Sequence, residues 1–467
     1  MPGGDEMAMK KLDVEVKEPK LIVEVKEPQL VVPAESTPHL VYFLNNLDQN
    51  IAVSMRTVYF FMAREEKKHE DPAPVIKDAL SKLLVHFYPM AGRLGISEDF
   101  KLQVDCQEQG AVFVEATANK CIAELGEISS PTPFMRELVY EFPNAKNILE
   151  VPPLIVQVTT FKCGGFSLSL HNNHCMMDGL SANEFLQAWG ELARGVDITH
   201  PPHIDRSVLR SRDPPRVEFP HHEFDEIEDL SGGELLMGDS LVYKNFILTP
   251  DDLEAVKKAI LEDGAIQKVS TFEALTALTW RARTQAMDMP LKQKTRLLFA
   301  VDGRSKFDPP LPEHFFGNGI VLTCAITTAA ELTQQPLSYA VKLVQDAIAM
   351  INDDYMRSAL DFYELTRSRP ALVATLLVTT WLRLPFHTVD FGWGYPMSTS
   401  PACLPDREVI LFTSCGKGRR SVKILLAMPS QESMEKLDND LRCYGVQSSE
   451  AADSWLLREH PILRRNT

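Results

Sequence analysis

Apolar residues recur along the chain at two periods, and their alternation predicts helices and strands in turn. Ile76, Leu80, Leu83, Leu84 and Phe87 share one helical face after the cap residue Asp71, and Pro89 stops the run. Strand patterns follow at 101–104, 111–116 and 154–160, the last apolar nearly throughout. At 165–171 Phe166, Leu168 and Leu170 alternate with Ser167, Ser169 and His171. Ser181 with Glu184 reads as a capping box for a helix carrying Phe185, Leu186, Trp189 and Leu192, ended by Gly195.

Between 196 and 239 the periodicity collapses. Pro201, Pro202, Pro214, Pro215, Pro220, an acidic run and Gly232-Gly233 occupy a stretch too long for a loop inside one compact domain, so it reads as a crossover. Pattern resumes with a strand at 241–248, a helix capped by Thr249-Pro250, and a second capping box, Ser270 with Glu273, opening a helix to about 286. Strands are expected at 297–301, 319–327, 409–413 and 421–426, and helices at 337–351 and 370–384. The sum is two α/β (α+β) halves in tandem: a mobile arm at 1–20, a domain at 21–195, the crossover at 196–239, a second domain at 240–444 and a mobile tail at 445–467. VEVKEP occurs twice, at 14–19 and 23–28, which reads as a local duplication whose second copy enters the fold as an edge strand.

Composition narrows the function. The 467 residues hold 48 Lys+Arg against 64 Asp+Glu, a net charge of −16 that argues against a nucleic-acid partner. The eight cysteines show no CxxC spacing, which speaks against a zinc site and a disulfide framework and for a reducing compartment. No 18-residue apolar run predicts a membrane span, and the first twenty residues lack the apolar core of a signal peptide. The expectation is a cytoplasmic protein without a bound metal.

Candidate chemistry gathers at two places. His174 and Asp178 form an H-x-x-x-D between a strand and a helix, on a turn sharpened by Gly179. A neutral imidazole there could take a proton from a hydroxyl, or the carboxylate could merely stiffen the turn. His221 and Asp225 repeat the spacing inside the crossover, where a solvated loop histidine is expected. Cys175 and His171 read as packed residues, and Gly165-Phe-Ser-Leu-Ser lacks the last glycine of a nucleophile elbow. The second place is Asp390-Phe-Gly-Trp-Gly, a tight turn in which Trp393 could face a ligand or simply pack. Arg304, after Val301-Asp-Gly, is a plausible partner for Asp390, and the turn Phe315-Phe-Gly-Asn-Gly reads as structural.

HNNHCMMDG (171–179) together with DFGWG (390–394) resembles the paired signature of the BAHD family of plant coenzyme A-dependent acyltransferases. YPMAGRL (88–94) and Gly317-Asn318 also match, and the likeness runs from about 21 to 428. Stretches such as YFLNNLDQNIAV (42–53), NAKNILEVPP (144–153) and VDGRSKFDPPLPEHFFGNGIVLT (301–323) resemble one branch, the omega-hydroxypalmitate O-feruloyl transferases and fatty-alcohol hydroxycinnamoyl transferases.

The resemblance implies two chloramphenicol-acetyltransferase-like domains, each a mixed sheet with helices, and an active-site channel at their interface. His174 would be the general base and Trp393 an oxyanion donor. Asp178, Gly179 and an Asp390–Arg304 pair would support the site, while Ser270 and Thr271 would contact coenzyme A. Met177, where relatives often carry phenylalanine, and Arg383 would border the acceptor. The implied enzyme is a monomer with no permanent cofactor. It moves a hydroxycinnamoyl group from its CoA thioester to a long-chain alcohol or omega-hydroxy fatty acid. Two alternatives stand beside it: a polar acceptor such as shikimate or quinate, and a non-catalytic accessory of fatty-acid elongation.

Overall fold

The computed structural model describes residues 20–231, 241–404 and 409–448. The expected mobile arm, apart from residue 20, and the tail beyond 448 lie outside the described residues. So does the first VEVKEP copy.

Two seven-stranded mixed sheets carry the chain. The first runs Val23–Val25, Ala111–Ala118, Leu154–Thr160, Phe166–Asn173, Ser54–Phe61 and Ser398–Pro401 in spatial order, and Gln29–Val31 also pairs with Ala111–Ala118. The second runs Ile320–Thr328, Lys294–Asp302, Thr375–Thr380, Val409–Cys415, Ser421–Met428, Val242–Leu248 and Gln447–Ser448. Each sheet is mostly antiparallel with parallel pairs inside it. A small third sheet joins Leu40–Phe43, Leu102–Cys106 and Arg93–Ile96.

Helices cover the sheets through the faces their periodicity marks. Pro72–His86 and Gly179–Ala193 pack together over the first sheet, burying Ile76, Leu80, Leu83, Phe185 and Trp189. Thr271–Ala286, Leu337–Ala349 and Gln431–Arg442 cover the second, around Trp280, whose indole N–H donates to Thr295 Oγ1 at 3.0 Å. The polar face of Phe166–Asn173 is buried too. Ser169 donates to the Gln157 carbonyl, and Ile122, Met135 and Leu138 roof that side.

Several expectations are corrected. Residues 370–384 hold the strand Thr375–Thr380 instead of a helix. Its Thr-Leu-Leu-Val-Thr-Thr run lies between parallel neighbours, with Leu376 and Val378 in the core and Leu377 packed partly buried on the other face, so apolar residues are not confined to alternate positions. The cap of Gly179–Ala193 is Asp178, whose Oδ1 accepts from Ser181 N at 3.0 Å, and not Ser181. The second sheet continues past 444 to Gln447–Ser448, which pairs with Phe246 and Ile247. Within the crossover, residues 196–231 lack long elements but are pinned. His203 N donates to His314 O, Phe316 N donates to His203 O, and Arg206, Leu209 and His221 are buried.

The halves are also interleaved. Ser398–Pro401, from the second half of the sequence, extends the first sheet beside Thr57–Phe60. Separate unfolding of either half would break that ladder, so calorimetry should show one cooperative transition. Two resolved transitions would contradict this.

Candidate active site

The strand Phe166–Asn173 ends at the interface between the halves, where His174 begins a single tight turn. His174 N donates to Val53 O at 2.8 Å, and the Asn173 side chain accepts from Cys175 N, which fixes the turn's backbone. Residues on both sides are buried, yet His174 keeps accessible surface. It sits deep and can still be reached.

Its ring is held by the other half. His174 Nδ1 lies 3.1 Å from Asn318 Oδ1, while Asn318 Nδ2 donates to Asp48 Oδ1 and to His174 O, both at 2.9 Å. With two acceptors on its NH₂, the amide must turn its oxygen to the ring. Nδ1 therefore carries the proton and Nε2 keeps its lone pair. Burial lowers the imidazole pKa from the ordinary histidine value, against the opposing pull of Asp178 and Asn318, and so favours the neutral ring.

Two ion pairs, one fully buried and one with a partly exposed arginine, brace this contact. Asp178 lies under the turn and takes both Arg304 Nη atoms, at 2.8 and 3.0 Å, with Ser181 N and Gly319 N. Burial alone would raise this carboxyl, but Arg304 and the two amides outweigh it and hold the pKa low. Asp178 makes no ion pair with His174; it joins the histidine turn to the 315–319 turn. Asp48 pairs with Arg206 at 2.9 Å, both side chains fully buried. Arg206 also donates to the carbonyls of Phe316, Cys175 and Met176, so one crossover guanidinium clamps both turns. Gly317 is needed here, because a Cβ would come within 2.6 Å of Arg206 Nε. Gly179 likewise leaves room for Leu384, whose Cδ1 a Cβ would meet at 2.6 Å.

The DFGWG turn takes a different place from the one expected. Asp390 Oδ1 accepts from Gly392 N at 2.7 Å and Gly394 N at 2.9 Å, so it closes its own turn and does not pair with Arg304. Phe391 packs edge-on against Phe61 and Trp189. Trp393 is buried against Phe166, ring centroids 5.7 Å apart, with Lys67 Nζ 4.2 Å above its ring. Phe166 opens the strand that His174 follows, eight residues away, which is about 25 Å at strand rise. Trp393 therefore lies too far away to reach an oxyanion formed at His174, and it packs against the start of the strand.

The other expected residues scatter. Met177 is buried in the first core, and Arg383 is exposed. Ser270 caps the helix Thr271–Ala286 and accepts from Glu273 N, while Glu273 accepts from Ser270 N. His221 is not solvated: it is buried, with Nδ1 2.8 Å from Glu223 Oε1 and Nε2 2.8 Å from Ser358 Oγ. This serine–histidine–glutamate line resembles a hydrolytic triad. Ser358 is fully buried, however, and its Oγ already accepts from Glu218 N and Phe219 N, so the line pins the crossover to the helix Asp353–Thr366. Asp225 pairs instead with His222.

Asp48, Arg206 and Asn318 were not read as site residues. Asn318 falls in the Gly-Asn turn and Asp48 in the YFLNNLDQNIAV stretch, but neither pattern points to a contact with His174. A cavity of about 350 Å³ opens between the sheets, bordered by Trp381, Leu384 and Phe386, by Ser398 of the first sheet and by Thr413 and Lys423 of the second. No helix among the described residues is long and apolar enough to cross a membrane.

Two mixed sheets with a histidine turn at their seam are the two-domain α/β fold of the acyltransferases. The chain belongs to the Transferase family, the BAHD acyltransferases, whose profile matches residues 21–442. It is 52% identical over 403 residues to an omega-hydroxypalmitate O-feruloyl transferase of Arabidopsis thaliana, covering 85% of this chain and 88% of the relative. It is 50% identical to a fatty alcohol:caffeoyl-CoA acyltransferase of the same plant, covering 85% and 93%. Among solved structures, vinorine synthase aligns with a TM-score of 0.69 at 26% identity, covering 89% of this chain and 96% of that one.

Asn318 gives the site a specific test. Asn318→Ala should lower kcat about tenfold or more with little change in the KM for the acyl-CoA, because it frees the ring to adopt the wrong tautomer. Adding it to His174→Ala should cost nothing further. A further loss in the double variant, measured by steady-state kinetics, would show that Asn318 acts independently of the histidine.

Proposed function

We propose that this protein moves a feruloyl or caffeoyl group from its CoA thioester to the hydroxyl of a long-chain omega-hydroxy fatty acid or fatty alcohol, for suberin, cutin or wax formation. The observation that carries the chemistry is the Asn318–His174 contact, which leaves Nε2 as a proton acceptor at the interface. Similarity to the two named relatives supports the substrates.

His174 Nε2 takes the proton of the acceptor hydroxyl as its oxygen bonds to the thioester carbonyl carbon. The tetrahedral intermediate then collapses with cleavage of the C–S bond, and the imidazolium returns its proton to the leaving CoA thiolate. Ester and free CoA result, and His174 ends neutral. Ser270 and Thr271, at a helix start, would contact CoA, although Glu273 already occupies that N-terminus and would oppose a phosphate. Met177 bears on the acceptor through packing beneath the turn. The enzyme works as a cytoplasmic monomer with no permanent cofactor.

Exposed Arg383 favours a second reading, an acceptor with its own carboxylate such as shikimate or quinate. Against the accessory reading stands the intact H-x-x-x-D turn with its complete hydrogen-bond set. CoA release from feruloyl-CoA, with omega-hydroxypalmitate, hexadecanol and shikimate offered separately, decides among them. Turnover on the long-chain acceptors that His174→Ala abolishes is expected. Turnover on shikimate alone would overturn the long-chain assignment, and no turnover on any of the three would overturn this substrate assignment and leave another acceptor or the accessory role.

A further inference from the structure

The cavity between the sheets has an apolar wall and a cationic one. Trp381, Leu384, Phe386 and Met397 supply the first. Lys423, Arg419 and His387 supply the second, and no Asp or Glu is among the described residues that line it. In a chain with sixteen more acids than bases, such a lining is a local reversal of charge.

The second sheet builds this wall directly. Thr413, Lys423 and Ile247 stand side by side in register across three strands, so their side chains share the face that lines the cavity. Lys423 Nζ reaches the first half and donates to Ser129 O at 3.0 Å, which holds the ammonium at the interface. Arg419 follows on the next turn. Its one described hydrogen bond is a long one, Nη1 to Ser414 O at 3.4 Å. Arg419 is exposed, yet partial desolvation lowers its pKa, and its charge adds to burial in lowering that of His387. Both groups would gain from a bound anion.

The cavity also has a direction. Leu384, one of its lining residues, packs over Gly179, the residue after Asp178 in the histidine turn. Ser398 lines it further along, and pairs with Phe60, which pairs with Ser167. Ser167 lies seven residues before His174 on the strand, so the Ser398 end is on the order of 20 Å from the base. A small hydroxy acid cannot touch both. A long alkyl chain with a hydroxyl at one end and a carboxylate at the other can, with its methylenes along Leu384, Trp381 and Phe386.

We propose that this cavity seats the carboxylate of an omega-hydroxy fatty acid acceptor, with Arg419 as its principal contact and Lys423 and His387 beside it. The proposal rests on the function inferred above and adds to it a preference for the free acid over neutral acceptors of equal length. The guanidinium suits this task because its planar fork matches a carboxylate with two parallel hydrogen bonds.

The test is the ratio of kcat/KM for omega-hydroxypalmitate to that for its methyl ester, with feruloyl-CoA as donor. The wild-type ratio should exceed one, and Arg419→Gln should lower it about tenfold, the scale of one lost charge-assisted contact. Arg419→Lys should retain most of the ratio. An unchanged ratio in Arg419→Gln would overturn the proposal. So would a rise in the KM for feruloyl-CoA that is equal with both acceptors, because it would assign these cations to the phosphates of CoA. Failure of the proposed function itself would look different, as absent turnover of acid and ester alike by the wild type.

Discussion

One hydrogen bond organises the site: the imidazole of His174, supplied by the first half, is oriented by the amide of Asn318, supplied by the second. Neither half alone fixes the tautomer of this ring. The histidine without Asn318 could place its proton on either nitrogen, and Asn318 without the histidine is a turn residue with a spare oxygen. The remaining contacts at the seam hold this pair in place. Asp48 fixes which way the amide faces, Arg206 fixes Asp48, and Asp178 with Arg304 ties the two turns together.

The ion pairs suit that task because their carboxylates are buried. Desolvation makes each pair costly to form, and removing one partner leaves an uncompensated charge, typically worth about 3–5 kcal/mol. Such pairs add little net stability over apolar packing, but they penalise displacement of the turns strongly. Architecture and chemistry are thus separated along one strand. Its start, at Phe166, is locked by Trp393 and the Asp390 turn, and its end presents His174.

Local features were legible in the sequence because short-range physics sets them. The helix Pro72–His86 with its Asp71 cap, the strand Leu154–Thr160, and the caps at Thr249 and Ser270 lie where periodicity and capping chemistry place them. Thr375–Thr380 hides its strand character because adjacent Leu376, Leu377 and Val378 put apolar side chains on both of its faces. The partners of His174 were hidden for another reason. Asn318 lies 144 residues away and Asp48 a further 270 from Asn318, and no local pattern reports a contact made by folding. The family signature pointed to His174 and Asp178, but it suggested a reach for Trp393 and a partner for Asp390 that the fold does not provide.

His174 is neutral with its proton on Nδ1, and nitrogen NMR of histidine-labelled protein reads this state directly. The His174 signals would be assigned by their loss in a His174→Gln variant. The account predicts an Nδ1–H, Nε2-unprotonated ring at pH 7 that titrates below the ordinary histidine value of about 6.5. An Nε2–H tautomer, or an imidazolium persisting at pH 7, would contradict it.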